Sequence, residues 1–286
     1  MSVQGFDEAL LGPPIAGPSA LGGGFRRFFL LARTLAVTDF KLRFFGSVLG
    51  YFWQLGRPLM LFGVLYAVFT QFLRLGTQVN HYPIVLLSNI VLFTFFAEAT
   101  GGAVASVVGR ENLVRKIQFP RMAIPVSVVI TASFNLALNT IVVLVFALAN
   151  GVHPRWSWFE VPLLVCLLAL LIVGIAMLLS ALFVRFRDVA PIWDVVVQAL
   201  FYATPVIYVI DSVSVSANIK HAIMLNPIAA ILAQFRHAVI DPAAPTAAAA
   251  VGGTWRLLIP LGIIVFFVVV GYRVFNRDAP HIAENL

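Results

Sequence analysis

The chain has 286 residues, of which 61% are hydrophobic and only 11% charged, and its mean hydropathy is +0.98. Soluble domains carry about 25% charged residues, so this composition excludes an ordinary water-soluble fold and predicts an all-α integral membrane protein. The net charge is +7, but the basic residues flank apolar stretches, which predicts contact with anionic membrane lipids and no nucleic-acid partner. The single cysteine, Cys166, excludes an intramolecular disulfide and a cysteine-rich metal site.

The start of the chain predicts a disordered cytoplasmic tail. Residues 1–24 are rich in glycine and proline and include Asp7 and Glu8. They lack the basic start and apolar core of a secretory signal peptide. We therefore expect the membrane-associated part of the chain to begin near Phe25.

Residues 25–57 predict a helix that lies along the membrane surface. Basic residues alternate there with phenylalanine and leucine, a pattern typical of amphipathic helices whose apolar face enters the headgroup region. The helix could serve only as an anchor. Its arginines could also bind a phosphate-bearing lipid, because guanidinium groups suit bidentate phosphate contacts.

Six apolar stretches predict six membrane-spanning helices, since a helix of about 20 apolar residues crosses the hydrocarbon layer. The predicted spans are 58–73, 83–107, 123–149, 161–184, 189–210 and 255–275. The longest uncharged run, from Met122 to Pro154, contains the third span. With the amino terminus inside, 14 of the 19 basic residues fall on the cytoplasmic side. This distribution favours a multi-pass protein of the cytoplasmic (inner) membrane with both termini in the cytoplasm.

The loop after the second span, Gly109–Pro125, predicts a short helix at 110–121. The loop could be an ordinary basic cytoplasmic loop, or its mixture of charged and apolar side chains could dock another protein. The residues that would form the docking surface are Glu111, Asn112, Arg115, Lys116, Ile117, Phe119 and Pro120.

Two acidic residues, Glu98 and Asp194, fall inside predicted spans. An ionisable side chain in the bilayer is expensive, so Glu98 is expected to face protein or a water-filled cavity. Asp194 could be functional, or it could sit at the inner boundary beside Arg187. Aromatic residues near both positions could line a passage for sugar rings or could be plain packing: Phe93, Phe96, Trp193, Phe201, Tyr202 and Tyr208.

The segment 211–250 is ambiguous. Residues 222–240 are apolar enough for a seventh span, but Asn226-Pro227 and Arg236-His237 interrupt them. A seventh crossing would also place the basic residues near the carboxyl end outside. We therefore predict short re-entrant helices that dip into the outer leaflet, where protein or a wet cavity must shield the backbone.

Motifs for independent chemistry are missing from the sequence. The nucleotide-binding motif G-x-x-x-x-G-K-[ST] requires a glycine directly before its lysine, and none of the three lysines in the sequence has one. The chain also lacks H-E-x-x-H, a Cys/His zinc set and G-x-S-x-G. These absences predict no catalytic residue, no metal site and no cofactor bound by this chain.

Four segments together resemble the membrane subunits of ABC-2-type polysaccharide exporters, which export O-antigen, teichoic acid and other cell-wall glycans. The matching segments are Asp39–Met60, Glu111–Pro125, Phe186–Tyr208 and Leu225–Ile240. They occur in the order found in the family and extend over the chain from about residue 25 to its end.

The resemblance implies a homodimer of six-span subunits powered by two P-loop ATPase subunits, which bind ATP and magnesium. The loop helix 110–121 would couple to the ATPase. The cargo would be a polyprenyl-pyrophosphate-linked glycan, with its pyrophosphate near Arg26, Arg27 and Arg33 and its sugars along Glu98 and the aromatic side chains. Alternatives are ABC-2 export of a drug or lipid, a membrane transferase, and an ion-coupled flippase that uses Glu98 and Asp194.

Overall fold

A computed structural model describes residues 24–44, 48–72, 79–116, 119–213 and 215–279. The predicted tail, apart from Gly24, lies outside the described residues, as does the predicted docking residue Ile117. The side chains of Arg115 and Lys116 also lie outside the described part.

The described residues form helices and turns, with no strand among them. The α-helices are α1 Phe25–Phe44, α2 Val48–Tyr66, α3 Tyr82–Val104, α4 Glu111–Lys116, α5 Ala123–Ala149, α6 Val161–Arg185, α7 Val189–Ala203, α8 Ala217–Met224, α9 Pro227–Phe235, α10 Ala247–Val251 and α11 Leu258–Asp278. Wider π-helical turns extend α2 through Ala67–Phe72 and α9 through Arg236–Ile240. A 3-10 turn precedes each of α4, α6 and α11.

Four of these elements are long and apolar enough to cross a membrane, which agrees with a multi-pass membrane protein. They are Tyr82–Val104, Ala123–Ala149, Trp156–Arg185 and Thr254–Asp278. They correspond to the second, third, fourth and sixth predicted spans. A fifth crossing exists if α8 and Pro227–Ile240, which meet at a bend of 97°, form one broken span.

The first and fifth predicted spans differ from the helices in the structure. The first was expected at 58–73, but α2 already begins at Val48 and carries Pro58 inside it. The predicted surface helix 25–57 therefore corresponds to α1 and the first half of α2. The fifth was expected to reach residue 210, but α7 ends at Ala203 because proline at 205 lacks an amide hydrogen and disfavours helical geometry at Thr204.

Helix α3 forms the centre of the bundle and packs against α2, α5, α6, α7 and α9. It is the most buried of the four candidate spans. Beside it, α6 and α11 cross closely at Gly174 and Gly271, where a Cβ atom at Gly174 would lie 2.5 Å from the Phe267 carbonyl carbon. Small residues allow helix backbones to approach in this way inside a membrane.

Helix α1 packs against α5 through Phe28, Ala32 and Ala36, which are buried. Phe28 and Ala32 belong to an apolar cluster that also contains residues from α5, α6 and α11. The opposite face of α1 exposes phenylalanine and leucine as well as basic side chains. This mixed exposed face has the composition expected of a helix at a membrane surface.

Candidate functional site

A polar junction inside the bundle joins α2, α3 and α5. The half-buried carboxylate of Glu98, on α3, accepts hydrogen bonds from Gln54 Nε2 at 3.3 Å and from Asn135 Nδ2 at 2.9 Å. These three side chains, with Arg57 and Asn139 among others, line a cavity of about 50 Å³. The structure therefore places Glu98 against protein and a small polar cavity. Glu98 was predicted from the sequence, but its two carboxamide partners were not. For Asn135 the signal was an amide side chain inside a long apolar stretch.

The predicted aromatic lining divides into buried and accessible side chains. Phe93 and Phe96 are 3% and 1% exposed and pack against α7, with ring centroids 5.2 Å from Phe201 and 6.2 Å from Trp193. The indole of Trp193 also donates a hydrogen bond of 3.1 Å to Thr100 Oγ1. Phe93 and Phe96 therefore fasten α7 to α3 and present no surface to a passage in this conformation.

The remaining aromatic candidates differ in position: Trp193 and Phe201 are partly buried against α3, whereas Tyr202 and Tyr208 lie at or just beyond the carboxyl end of α7. Tyr202 is 61% exposed, and Tyr208 is partly buried. Asp194, Gln198 and Tyr202 are all exposed and follow one another at intervals of four residues, so they share one helix face. Polar groups on an exposed face of a membrane helix require water or another protein surface beside them. Gln198 was not among the site residues predicted from the sequence. Its spacing of four residues from Asp194 would have indicated that the two side chains share a helix face.

The non-helical segment after α7 is held by polar side chains from α3. Asn89 Nδ2 donates to the carbonyl oxygens of Pro205 and Val206 at 3.3 and 3.2 Å, and the Tyr82 hydroxyl donates to that of Ile207 at 2.7 Å. These contacts satisfy carbonyl groups that a continued helix would have paired internally. Asn89 and Tyr82, which stabilise this segment, were not predicted from the sequence.

The segment that follows, from Asp211 to Asp241, is held together by charged groups and joined to α6 by an amide group. Arg236 lies 3.3 Å from the Asp211 carboxylate and 4.0 Å from that of Asp241. Gln234 donates to Glu160, at the start of α6, at 2.7 Å. The Gln234 bond joins the bent pair formed by α8 and Pro227–Ile240 to the start of α6, while the Arg236 contacts link residues within the segment itself.

The loop before α5 contacts α1, α5 and the residue that follows α11. Arg110 pairs with Asp39 of α1 and donates to Ser127 Oγ at 3.0 Å. Arg121 donates to the carbonyl oxygen of Ala279, directly after α11. The loop therefore links α1, α5 and the end of α11.

The predicted docking residues differ in exposure. Asn112 is exposed and Glu111 is partly buried, as expected for the outer face of a surface helix. Phe119 and Pro120 were expected on the docking surface, but both are buried, and Phe119 joins the apolar cluster that contains Phe28. Packing Phe119 among apolar neighbours, which include Val114 of α4, removes its ring from water and so stabilises the fold.

The three arginines predicted to contact a lipid phosphate, Arg26, Arg27 and Arg33, are all exposed on α1. Arg26 and Arg33 are seven residues apart and so lie on the same face of the helix, two turns from each other. Among the residues that the structure describes, no group of three or more His, Cys, Asp or Glu side chains could hold a metal ion.

Comparison with known proteins identifies a family and several relatives. The profile of the family described as "ABC-2 type transporter" matches residues 31–240. The chain is 26% identical over 254 residues to an O-antigen export system permease protein RfbA of Klebsiella pneumoniae, covering 87% of this chain and 92% of that protein. A permease with the same name from Myxococcus xanthus is 26% identical over 203 residues, covering 71% of this chain and 77% of the relative.

Proposed function

Because this chain belongs to the ABC-2 type transporter family, we propose that it is the permease subunit of an ATP-driven exporter of a polyprenyl-pyrophosphate-linked polysaccharide. The observation that carries the proposal is the similarity to O-antigen export permeases along 87% of the chain. The sequence has no nucleotide-binding motif of its own, so a separate ATPase must supply the energy. The chain is then a transporter subunit and not an enzyme.

In the proposed arrangement the chain crosses the cytoplasmic (inner) membrane six times, with both termini in the cytoplasm. Helix α2 and its π-helical extension form the first crossing, because the 19 residues of α2 alone rise about 28 Å and the extension lengthens the element further. Helix α7 is the fifth crossing, although its 15 residues rise only about 22 Å. The bent pair after it is re-entrant from the outer side, and α1 lies along the inner surface.

Two copies of the chain form the passage, and each engages one of two P-loop ATPases that bind ATP and magnesium. The exposed side of α4, with Glu111 and Asn112, is the proposed contact with the ATPase, together with Arg115, Lys116 and Ile117. Phe119 and Pro120 support that contact from beneath, because they are buried. Movement of α4 reaches α1 through the Arg110–Asp39 pair.

The cargo would meet two parts of the chain. Arg26, Arg27 and Arg33 are exposed on α1 and would contact the pyrophosphate, because arginine binds phosphate groups through paired hydrogen bonds. The sugars would pass the accessible face of α7, where Tyr202, with Tyr208 just beyond the helix, offers aromatic rings for stacking. Trp193 and Phe201 would border this passage from the side that packs against α3.

The proposal is tested by removing the chain from its own cells and following a labelled lipid-linked glycan. We expect the glycan to disappear from the cell surface and to accumulate on the cytoplasmic leaflet. Supplying the chain again should restore export, and supplying it with a partner ATPase whose P-loop lysine is replaced should not. Normal surface glycan in cells without the chain would contradict the proposal. Loss of drug resistance with normal glycan would favour a drug exporter.

A further inference from the structure

The polar junction of α2, α3 and α5 contains a buried acceptor that finds no hydrogen-bond donor in the described structure. Asn135 is 2% exposed, and its Nδ2 atom is used by Glu98, but its Oδ1 atom has no partner there. A buried carbonyl oxygen without a hydrogen-bond donor destabilises the protein, so such a group in a folded protein indicates a role that requires it. Asn135 also lines the cavity of about 50 Å³ described above, so a ligand in that cavity is within its reach.

The cavity presents donors and acceptors together. The Glu98 carboxylate and the Asn135 Oδ1 atom are hydrogen-bond acceptors, while Gln54, Arg57 and Asn139 bring N–H donors to the same space. A phosphate would be repelled by the Glu98 carboxylate, and a cation by the Arg57 guanidinium. A hydroxyl group suits both kinds of neighbour, because it donates one hydrogen bond and accepts others.

The cavity is open on one side and apolar on the other. Thr94 and Glu98 are partly exposed, and Arg57 is exposed, so these side chains form the accessible rim. Val91, Phe95 and Leu136 are buried and form the inner wall. A polar rim over an apolar wall matches the two faces of a sugar, whose hydroxyl groups project around carbon–hydrogen surfaces.

The hydrogen bonds that close the junction are unequal. Asn135 lies 2.9 Å from the carboxylate of Glu98, whereas Gln54 lies 3.3 Å from it, which is long for an N–H···O bond. The Gln54 bond is thus the weaker of these two. A cavity of about 50 Å³ holds no more than a few water molecules or hydroxyl groups, so a sugar ring enters only if α2 moves aside.

We propose that this junction is a saccharide subsite, in which hydroxyl groups of the exported glycan replace Gln54 on the Glu98 carboxylate and donate to the Asn135 oxygen. This inference rests on the proposed export function. It places the sugar between α2 and the α3–α5 pair and assigns binding to carboxylate and carboxamide groups in addition to aromatic rings.

Photo-crosslinking in cells that make and export the glycan tests the subsite with the whole transporter. A benzophenone amino acid replaces Thr94 at the rim, and in a control chain it replaces Val145, which is 61% exposed on α5. We expect irradiation to attach glycan to the Thr94 variant at about tenfold the level of the control. Export without a glycan adduct at Thr94 would overturn the subsite. Absence of export with the wild-type chain would instead overturn the proposed function.

A second measurement keeps the inference testable if the benzophenone side chain disturbs folding. Glu98→Gln keeps the shape of the side chain but removes its charge, and Ser133→Ala is the matched control, since Ser133 bonds to Val129 of its own helix. In proteoliposomes, lipid-linked glycan should stimulate ATP hydrolysis by the complex. We expect the half-maximal glycan concentration to rise about tenfold in Glu98→Gln and to stay unchanged in Ser133→Ala. An unchanged value in both would overturn the subsite.

Discussion

The α6–α11 crossing and the junction of α2 with α3 and α5 hold their helices by opposite means. At the crossing, Gly174 and Gly271 bring backbone against backbone with no room for a methyl group. At the junction, polar side chains meet around a small cavity, and one of the contacts is long. Close packing resists displacement, whereas hydrogen bonds can be exchanged for those of water or a ligand. From this difference we expect α6 and α11 to form a rigid pair and α2 to be the helix that moves more easily.

The largest expected effect comes from filling the crossing. Gly174→Ala would place a methyl group 2.5 Å from the Phe267 carbonyl carbon and force the helices apart. We expect a loss of about 3 kcal/mol in the free energy of unfolding, the upper part of the range for overpacking. Thermal unfolding of the purified chain in detergent, followed by size-exclusion chromatography, measures the change.

Gly262→Ala is the matched control, because a Cβ atom at Gly262 on α11 meets nothing within 4 Å. Alanine also has the higher helix propensity, so this variant should be as stable as the wild type or slightly more stable. Equal stability of the two variants would show that the crossing is not close-packed.

The next largest loss of stability is expected from removing the side chain that supports the non-helical segment after α7. Asn89→Leu removes the donor shared by the carbonyl oxygens of Pro205 and Val206 and leaves both buried groups without it. We expect a loss of about 2 kcal/mol in stability and faster proteolysis near residues 204–208. Asn150→Ala removes an exposed bond to Phe146 of its own helix and should change neither quantity. Protection of residues 204–208 in Asn89→Leu equal to that of the wild type would contradict the assigned role.

Much of this architecture could be predicted from the sequence, because hydrophobicity alone locates long spans. The helices at 123–149 and 161–185 lie within one or two residues of their predicted positions, since charged or proline-containing loops flank them. The start of α2 at Val48 was missed. Arg57 looked like a span boundary, yet the helix continues through it, with Gln54 one turn earlier bonded to Glu98.

The candidate site was harder to predict than the spans, because it depends on which side chains meet. Glu98 stood out as a charge in an apolar stretch, but nothing local specifies that Gln54 and Asn135 approach it from two other helices. Phe93 and Phe96 show the converse problem. An aromatic residue on a central helix serves packing or a passage equally well by composition, and only the position of α7 decides between them.

The pair of Arg110, in the turn before α4, and Asp39 of α1 links these two elements. We expect its loss to affect stability less than transport. Asp39 and Arg110 are 33% and 21% exposed, so solvent screens part of their attraction. We expect Asp39→Asn to lower stability by less than about 1 kcal/mol and to reduce glycan export per ATP hydrolysed. Thr38→Ala, an exposed neighbour on α1, is the control and should leave both unchanged. Full coupling in Asp39→Asn would show that α1 does not receive motion through this pair.

The variant Gln54→Ala is expected to have the smallest effect on stability. It tests most directly the difference between the α6–α11 crossing and the junction of α2 with α3 and α5. Gln54→Ala removes the long bond from α2 to Glu98, while the shorter bond from Asn135 remains. Because the lost bond is weak and partly exposed, global stability should fall by only about 0.5 kcal/mol. Local opening should nevertheless increase, since fewer side chains then hold α2 against α3. Hydrogen exchange should therefore accelerate several-fold in α2 and stay unchanged in α6 and α11, whereas equal acceleration in all three helices would mean that they open as one unit.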